Sequence, residues 1–326
     1  MLTNKLTDPQ VSVIIPTLNA GSEFTLLLKR LQQQTIRPYE IIIMDSESTD
    51  GTAERARQAG AQLITVKRSE FDHGGTRNRG AEQAKGDILL FMTQDALPYD
   101  DKLIEQLTKP LLRDEKVVYA YARQLARPGA SFLEQLARES NYPAQSTVKG
   151  YEQIEALGIK TFFCSNVCSA IRRETFVEMG RFQEPVIFNE DLFMAAKCIL
   201  SGLNVAYQAE AVVYHSHEYT IAQQLRRYFD NGISMSCNPW IRPYSAIGGA
   251  GSKLVKLQLK GLHEHRKWHL IPGLIAESAA KLIGYKLGYH FNRLPASVTR
   301  KLSMHKLVLA HIARTNGFET QQTMKQ

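Results

Sequence analysis

The chain has 326 residues, 44% of them hydrophobic and 22% charged, with a formal net charge of +8. This is ordinary globular composition, which excludes a disordered or collagen-like chain, and a core of this size needs no disulfide staples. No uninterrupted apolar run approaches the roughly 20 residues of a membrane span, and the polar start MLTNKLTDPQ holds no apolar signal core, so the expected setting is the cytoplasm.

The first predicted strand, VSVIIP at 11–16, is a buried-type run of β-branched residues that stops at a proline. After TLNAGS comes a helical stretch, EFTLLLKRLQQQ at 23–34, with Leu26, Leu27 and Leu31 expected on its buried face. A second apolar run, YEIIIMD at 39–45, leads through the polar turn SESTDGT into a helix at 52–60, and QLITVK at 62–67 reads as a third strand. Beyond SEFDHGGT, the segment RNRGAEQAKG at 77–86 predicts another helix and DILLFM at 87–92 a fourth strand. Repeated strand–helix–strand units predict a largely parallel sheet with helices on both faces. Ligands of such sheets sit beyond the carboxyl ends of the strands, so residues 16–21, 45–50, 70–78 and 93–98 are the candidates.

Residues 115–220 mix strand, loop and helix and include the apolar segment TFFCSNVCSAI. Asn189 is an acceptable N-cap for the helix EDLFMAAKCILSG, and NVAYQAEAVVYH at 204–215 reads as a strand ending in HSHEYT. From 221 onward the pattern is mostly helical, broken by a Gly-rich loop at 248–251. The string GGAGSK there lacks the Gly-Lys-Ser/Thr ending of a phosphate loop and follows no strand, so an ordinary loop is expected. Residues 221–326 carry 16 Lys and Arg against four Asp and Glu, whereas residues 1–220 carry 24 against 28. A basic tail of this kind suits nucleic acid, an anionic membrane surface, or solvent alone. Cys164, Cys168, Cys198 and Cys237 lack zinc spacing and read as buried small apolar residues.

The strand ends carry residue types that suit a nucleotide diphosphate. Asp45 can accept from a base or ribose, Asp95 offers a hard oxygen to a divalent cation, and Arg77 is a planar fork for phosphate oxygens. Each has a plainer reading, since a carboxylate after a strand is as often a turn former. Glu190 and Asp191 can likewise serve only to complement a helix N-terminus. Alternate residues of an extended segment point to opposite faces, so at most one of His215 and His217 is expected in a site.

In order and spacing these segments resemble the family 2 glycosyltransferases. VSVIIPTLNAG is similar to their first strand and loop, and IIIMDSESTDGT to the nucleoside-holding second strand. GTRNRGAEQAKGDILLFMTQDALP is similar to their Arg-Asn helix and metal-binding Asp-x-Asp segment, and FNEDLFMAAKCILSG to the Glu-Asp helix. The resemblance implies an α/β, GT-A fold: a mostly parallel mixed sheet flanked by helices, with a catalytic domain at 1–220 and a helical extension at 221–326. It implies inverting transfer by single displacement, with Asp191 as general base and Glu190 beside it on the acceptor. Donor contacts are implied at Pro16, Thr17, Asn19, Asp45, His73, Gly74, Arg77, Asn78, Thr93, Gln94 and Asp95. QQLRRY at 223–228 is similar to the Gln-x-x-Arg-Trp segment of processive members, with Tyr228 for Trp, and brings Arg226 or Arg227 toward phosphate. Thr93-Gln94-Asp95 stands where many members have Asp-x-Asp, leaving Asp95, with His215 or His217, to hold Mg2+ or Mn2+.

FDHGGTRN together with TQDA more narrowly resembles bacterial rhamnosyltransferases that use dTDP-L-rhamnose. The implied acceptor is a lipid-linked or oligosaccharide precursor of a cell-surface glycan. The tail would then dock on the anionic inner face of the membrane, with Leu270, Leu274 and Ile275, or Leu282, Tyr285 and Tyr289, sharing a face, or make a homo-oligomer contact. Rival functions fit less well. The loop PTLNAG has neither the Gly-rich, Arg-containing loop of a nucleotidyltransferase nor the G-x-G-x-x-G of a dehydrogenase. An acidic front half without a nucleic-acid module speaks against nucleic acid as a partner.

Overall fold

The computed structural model describes residues 9–245 and 250–316. Strand β1 (Val11–Thr17) sends Val13 and Ile15 to one side of a sheet and Ile14 to the other, all fully buried, as a period of two requires. Helix α1 (Glu23–Gln32) covers the first side with Phe24, Leu27, Leu28 and Leu31. Leu26, expected on that face, is 42% exposed, because the buried stripe runs 24, 27, 28 and 31. Each of these side chains gains about 1.5–3 kcal/mol from burial.

Strand β2 (Glu40–Asp45) pairs in parallel with β1, and β3 (Gln62–Thr65) with β2, after helix α2 (Thr52–Gln58). Helix α3 (His73–Gln83) precedes β4 (Ile88–Met92), which joins β1 in parallel from the other side. Helix α3 begins at His73 and not at Arg77. The Asp72 side chain caps it, accepting from the backbone N–H of Gly74 at 3.0 Å and of Gly75 at 2.9 Å. Two poor helix formers disguise that first turn in the sequence.

The chain continues through β5 (Leu97–Pro98), α4 (Leu103–Arg113), β6 (Val117–Leu125), α5 (Phe132–Asn141), β7 (Thr147–Lys149) and α6 (Ile154–Leu157). Next come β8 (Cys168–Arg172), α7 (Arg173–Glu178), α8 (Glu190–Leu200) and β9 (Asn204–Tyr214). The sheet order is β3-β2-β1-β4-β8-β6-β9-β5, with β7 on β9. Strand β8 runs antiparallel to β4 and β6, so the sheet is mixed. Helices α1 and α4 cover one face and α3, α7 and α8 the other. The loops that follow β1, β2 and β4 therefore open at one edge, beside the start of α8.

The helices α9 (Ile221–Cys237), α10 (Arg242–Ser245), α11 (Ala250–Glu264), α12 (Ile271–Tyr289), α13 (Ala296–Leu302) and α14 (Lys306–Asn316) complete the described chain. Of the loop expected at 248–251, residues 248 and 249 lie outside the described residues, and Ala250 and Gly251 begin α11. Helices α9 and α12 meet at backbone distance. A Cβ on Gly284 would lie 2.2 Å from the Leu225 carbonyl oxygen, and one on Gly288 1.9 Å from that of Phe229.

The apolar faces expected on α12 are divided differently. Leu274 is buried with Leu136 and Leu262, with Leu270 packed against that cluster, and Tyr285 and Tyr289 pack against the main core. Ile275, Leu282 and Ile283 are left exposed, at 59%, 56% and 50%. No helix among the described residues is long and apolar enough to cross a membrane. All four cysteines are free, and Cys164, Cys168 and Cys198 are buried.

Candidate active site

A cavity of about 720 Å³ opens at that sheet edge. Pro16 and Thr17 reach it from the end of β1, Thr93, Gln94 and Asp95 from the end of β4, His73 and Arg77 from α3, and Glu190 and Asp191 from the start of α8. His215 and His217 enter from the segment after β9, and Arg227 from α9. Arg226 is on the exposed side of the same helix.

Four residues expected at the donor do not line the cavity. Asp45 is buried beneath it, accepting from Thr17 Oγ1 at 2.9 Å and from the Ser48 N–H at 3.0 Å. Asn19 accepts from the Thr49 N–H and so ties the β1 loop to the β2 loop. Asn78 brackets Phe182, donating to its carbonyl and accepting from its N–H. Gly74 gives room, since a Cβ there would meet the Gln183 carbonyl oxygen at 2.0 Å. Gln94 lines the cavity, but both ends of its amide bind the Leu18 backbone.

Both histidines face Asp95. His217 Nε2 lies 3.2 Å and His215 Nε2 3.5 Å from Asp95 Oδ2. The segment carrying them is loop, β9 having ended at Tyr214, so the alternation of a strand does not apply. Gln124 Oε1 sits 3.0 Å from His215 Nδ1, while Gln124 Nε2 serves Tyr142 and Ser165. Assigned from that network, the His215 hydrogen is on Nδ1 and a bare Nε2 faces the Asp95 carboxylate. Burial, then His215, lowers His217 to about 4, and burial lowers His215 too, so both imidazoles are neutral near pH 7. Three potential ligand atoms within 4.8 Å of one another, two of them imidazole nitrogens and one a carboxylate oxygen, fit a divalent cation. Gln124 fixes the tautomer from outside, as a ligand histidine requires.

At the other side, Arg77 pairs with Glu190 at 3.3 Å, both nearly inaccessible, and Arg77 also donates to the His73 carbonyl. Glu190 is therefore occupied with Arg77 and with Asn166 Nδ2 and is not a free acceptor contact. Asp191 remains partly open, held by the N–H groups of Asn166 at 2.9 Å and Leu192 at 2.8 Å. Burial first, then the adjacent Glu190 charge, pushes its carboxyl well above the usual range, overcoming these bonds and the helix end. Asn189 precedes α8 in the left-handed conformation at φ 68° and makes no side-chain cap; its Oδ1 accepts from Asn231 instead.

Sequence reasoning missed Asn166, Phe188 and the segment Met304–Val308, all on the cavity wall, whereas Phe71 lies in the 70–78 stretch marked as a candidate. Ser165-Asn166 interrupting an apolar run was a usable signal for Asn166. The 304–308 segment offered none.

The arrangement can bind an anionic, cation-assisted leaving group at one side and accept a proton at the other. A family model, glycosyl transferase family 2, matches residues 12–180. The chain is 40% identical over 301 residues to the O-antigen chain rhamnosyltransferase WbaN of Salmonella anatum, covering 91% of this chain and 95% of that one. It is 41% identical over 300 residues to RfbN of Salmonella typhimurium, of the same description and with the same coverage.

This chain belongs to glycosyl transferase family 2.

As a family 2 glycosyltransferase it also shares its fold with solved structures. The mannosyltransferase PcManGT from Pyrobaculum calidifontis, in complex with GDP-Man and Mn2+, aligns with a TM-score of 0.56 at 19% identity, over 97% of this chain and 89% of that one. S. aureus TarS 1–349 in complex with UDP-GlcNAc aligns at 0.54 and 17%, over 96% and 90%. The GT-A architecture implied by the strand-end motifs is the one observed.

Proposed function

We propose that this glycosyltransferase moves L-rhamnose from dTDP-L-rhamnose onto a hydroxyl of a lipid-linked glycan precursor, with inversion in a single displacement. The observation that carries the reading is that Asp191 and the Asp95–His215–His217 cluster line one cavity. The high identity to two rhamnosyltransferases along nearly the whole chain supports the sugar.

In the reaction, the acceptor oxygen attacks the anomeric carbon from the face opposite the diphosphate. Its C–O bond forms as the bond to the diphosphate breaks, and its proton passes to Asp191. A base with a raised pKa takes that proton readily near neutral pH. The Asn166 and Leu192 N–H groups keep the carboxylate aimed. Arg227 places a fixed positive charge on the cavity wall for the departing diphosphate. A Mg2+ or Mn2+ ion held by Asp95, His215 and His217 would supply further charge there.

The described helices of the 221–326 region form a second functional unit in this reading, bringing the catalytic part to an anionic membrane surface through Ile275, Leu282 and Ile283 and the exposed Lys286 beside them.

A donor screen by thermal shift tests the proposal, using dTDP-L-rhamnose, UDP-glucose and a GDP-sugar, each with and without Mg2+ or Mn2+. The expected result is selective stabilisation by dTDP-L-rhamnose, since a ligand that binds the native state raises its melting temperature. Asp95→Ala should remove the metal-dependent part of the shift. Equal shifts with UDP-glucose would remove the sugar assignment, and a shift indifferent to metal and to Asp95→Ala would remove the cation.

A further inference from the structure

The segment between α13 and α14 crosses the same cavity, and the chemistry described so far does not use it. Met304 and His305 line the wall there, followed by Leu307 in the first turn of α14. Asp230, a fully buried carboxylate on α9, holds the segment in place. Its Oδ2 accepts from the backbone N–H of Met304 at 2.8 Å and of His305 at 3.2 Å. Charge-assisted bonds to two successive N–H groups fix a loop more firmly than neutral ones.

What Asp230 fixes is the position of one ring. The His305 imidazole meets His73 edge-on, with ring centroids 4.9 Å apart, and His73 in turn meets Phe71 at 5.3 Å and Phe188 at 6.4 Å. His73 Nε2 is buried and has no hydrogen-bond partner among the described residues. Burial, then the Arg227 charge, lowers His305 to about 4, and burial, then His305 and Arg77, lowers His73, so both rings are neutral at pH 7. Arg227 lies between this corner and the metal-type cluster. Its guanidinium carbon is 4.7 Å from the Phe188 ring and 5.5 Å from that of Tyr219, which contacts His217. A diphosphate clamped between the cluster and Arg227 would put its sugar against the corner.

We infer that the corner formed by His73, Phe71, Phe188 and His305 is the pocket for the transferred sugar, with His305 touching the sugar ring and Asp230 its positioning residue. This rests on the glycosyltransferase reading above. A neutral, ring-lined corner with one unpaired imidazole nitrogen suits a deoxyhexose. The methyl group and apolar face of such a sugar pack on the rings.

Calorimetric titration of dTDP and dTDP-L-rhamnose, each into the full chain, tests the inference with wild type, His305→Ala, Asp230→Ala and Asp230→Asn. His305→Ala and Asp230→Ala should weaken dTDP-L-rhamnose by about tenfold and leave dTDP within about twofold. Asp230→Asn keeps an acceptor for the two N–H groups and should recover most of the loss. Equal weakening of both ligands would place the nucleoside or diphosphate at the corner and overturn the inference, as would no weakening of either. His305 is partly exposed, so His305→Ala carries the test even if Asp230→Ala does not fold. A wild type that binds UDP-glucose and not dTDP-L-rhamnose fails the donor assignment, and the same comparison with UDP and UDP-glucose then decides the corner.

Discussion

Glu190 and Asp191 are adjacent carboxylates at one helix start, and they do different things because, among the described residues, only Glu190 is paired with a buried cation. Glu190 is ion-paired with Arg77. Asp191 has no cation at hydrogen-bond distance among the described residues and rises in pKa through burial and through Glu190. Removing the Glu190 charge should therefore let Asp191 ionise at lower pH. In Glu190→Gln the acid limb of the kcat–pH profile is expected to move down, because transfer needs Asp191 deprotonated and the group that raised its pKa is gone. Stranding the buried Arg77 should also cost on the order of 3 kcal/mol of stability, readable by denaturant melts. An acid limb that stays put in Glu190→Gln would mean that the titrating group is not Asp191. Both carboxylates could be singled out from the sequence, but not their division of labour, since Arg77 lies far from them along the chain. The two histidines show the reverse error, where a strand rule was applied one residue past the end of a strand.

At the scale of elements, the first four strands were readable because their apolar runs are continuous, with β2 ending at Asp45 as expected and β1 running one residue past Pro16, whereas β5 to β8 lie in stretches without such runs. Helix α3 was readable only from Arg77 onward, since its first turn is made of His73, Gly74 and Gly75 and is secured by Asp72. Nothing local signals the crossing of α9 on α12, because the contact is between backbones and leaves no side-chain period to count. That crossing orients α9, and with it Arg227 and Asp230. Gly288→Val should force the helices apart, lowering stability by about 1–3 kcal/mol and weakening nucleotide-sugar binding with it. Measured by chemical denaturation and thermal shift, a variant as stable as wild type would show that the crossing gives way freely.

For the whole molecule, the uneven charge was plain from composition, yet which apolar residues remain exposed depended on what α12 packs against. Leu274, Tyr285 and Tyr289 are taken up inside the chain, and Ile275, Leu282 and Ile283 are not. Flotation with liposomes should show binding to anionic vesicles that falls in Ile275→Asp/Leu282→Asp and is weak with neutral vesicles. Equal flotation with both vesicle types would point to a contact between copies of the chain instead. The central claim, that one carboxylate accepts the proton in transfer from a nucleotide sugar, is tested most directly by Asp191→Asn. Turnover of dTDP-L-rhamnose with a lipid-linked acceptor and affinity for the donor are measured on the same preparation. Turnover is expected to fall by about 10²-fold or more with donor affinity unchanged; near-normal turnover, or a collapse of donor binding, would contradict it.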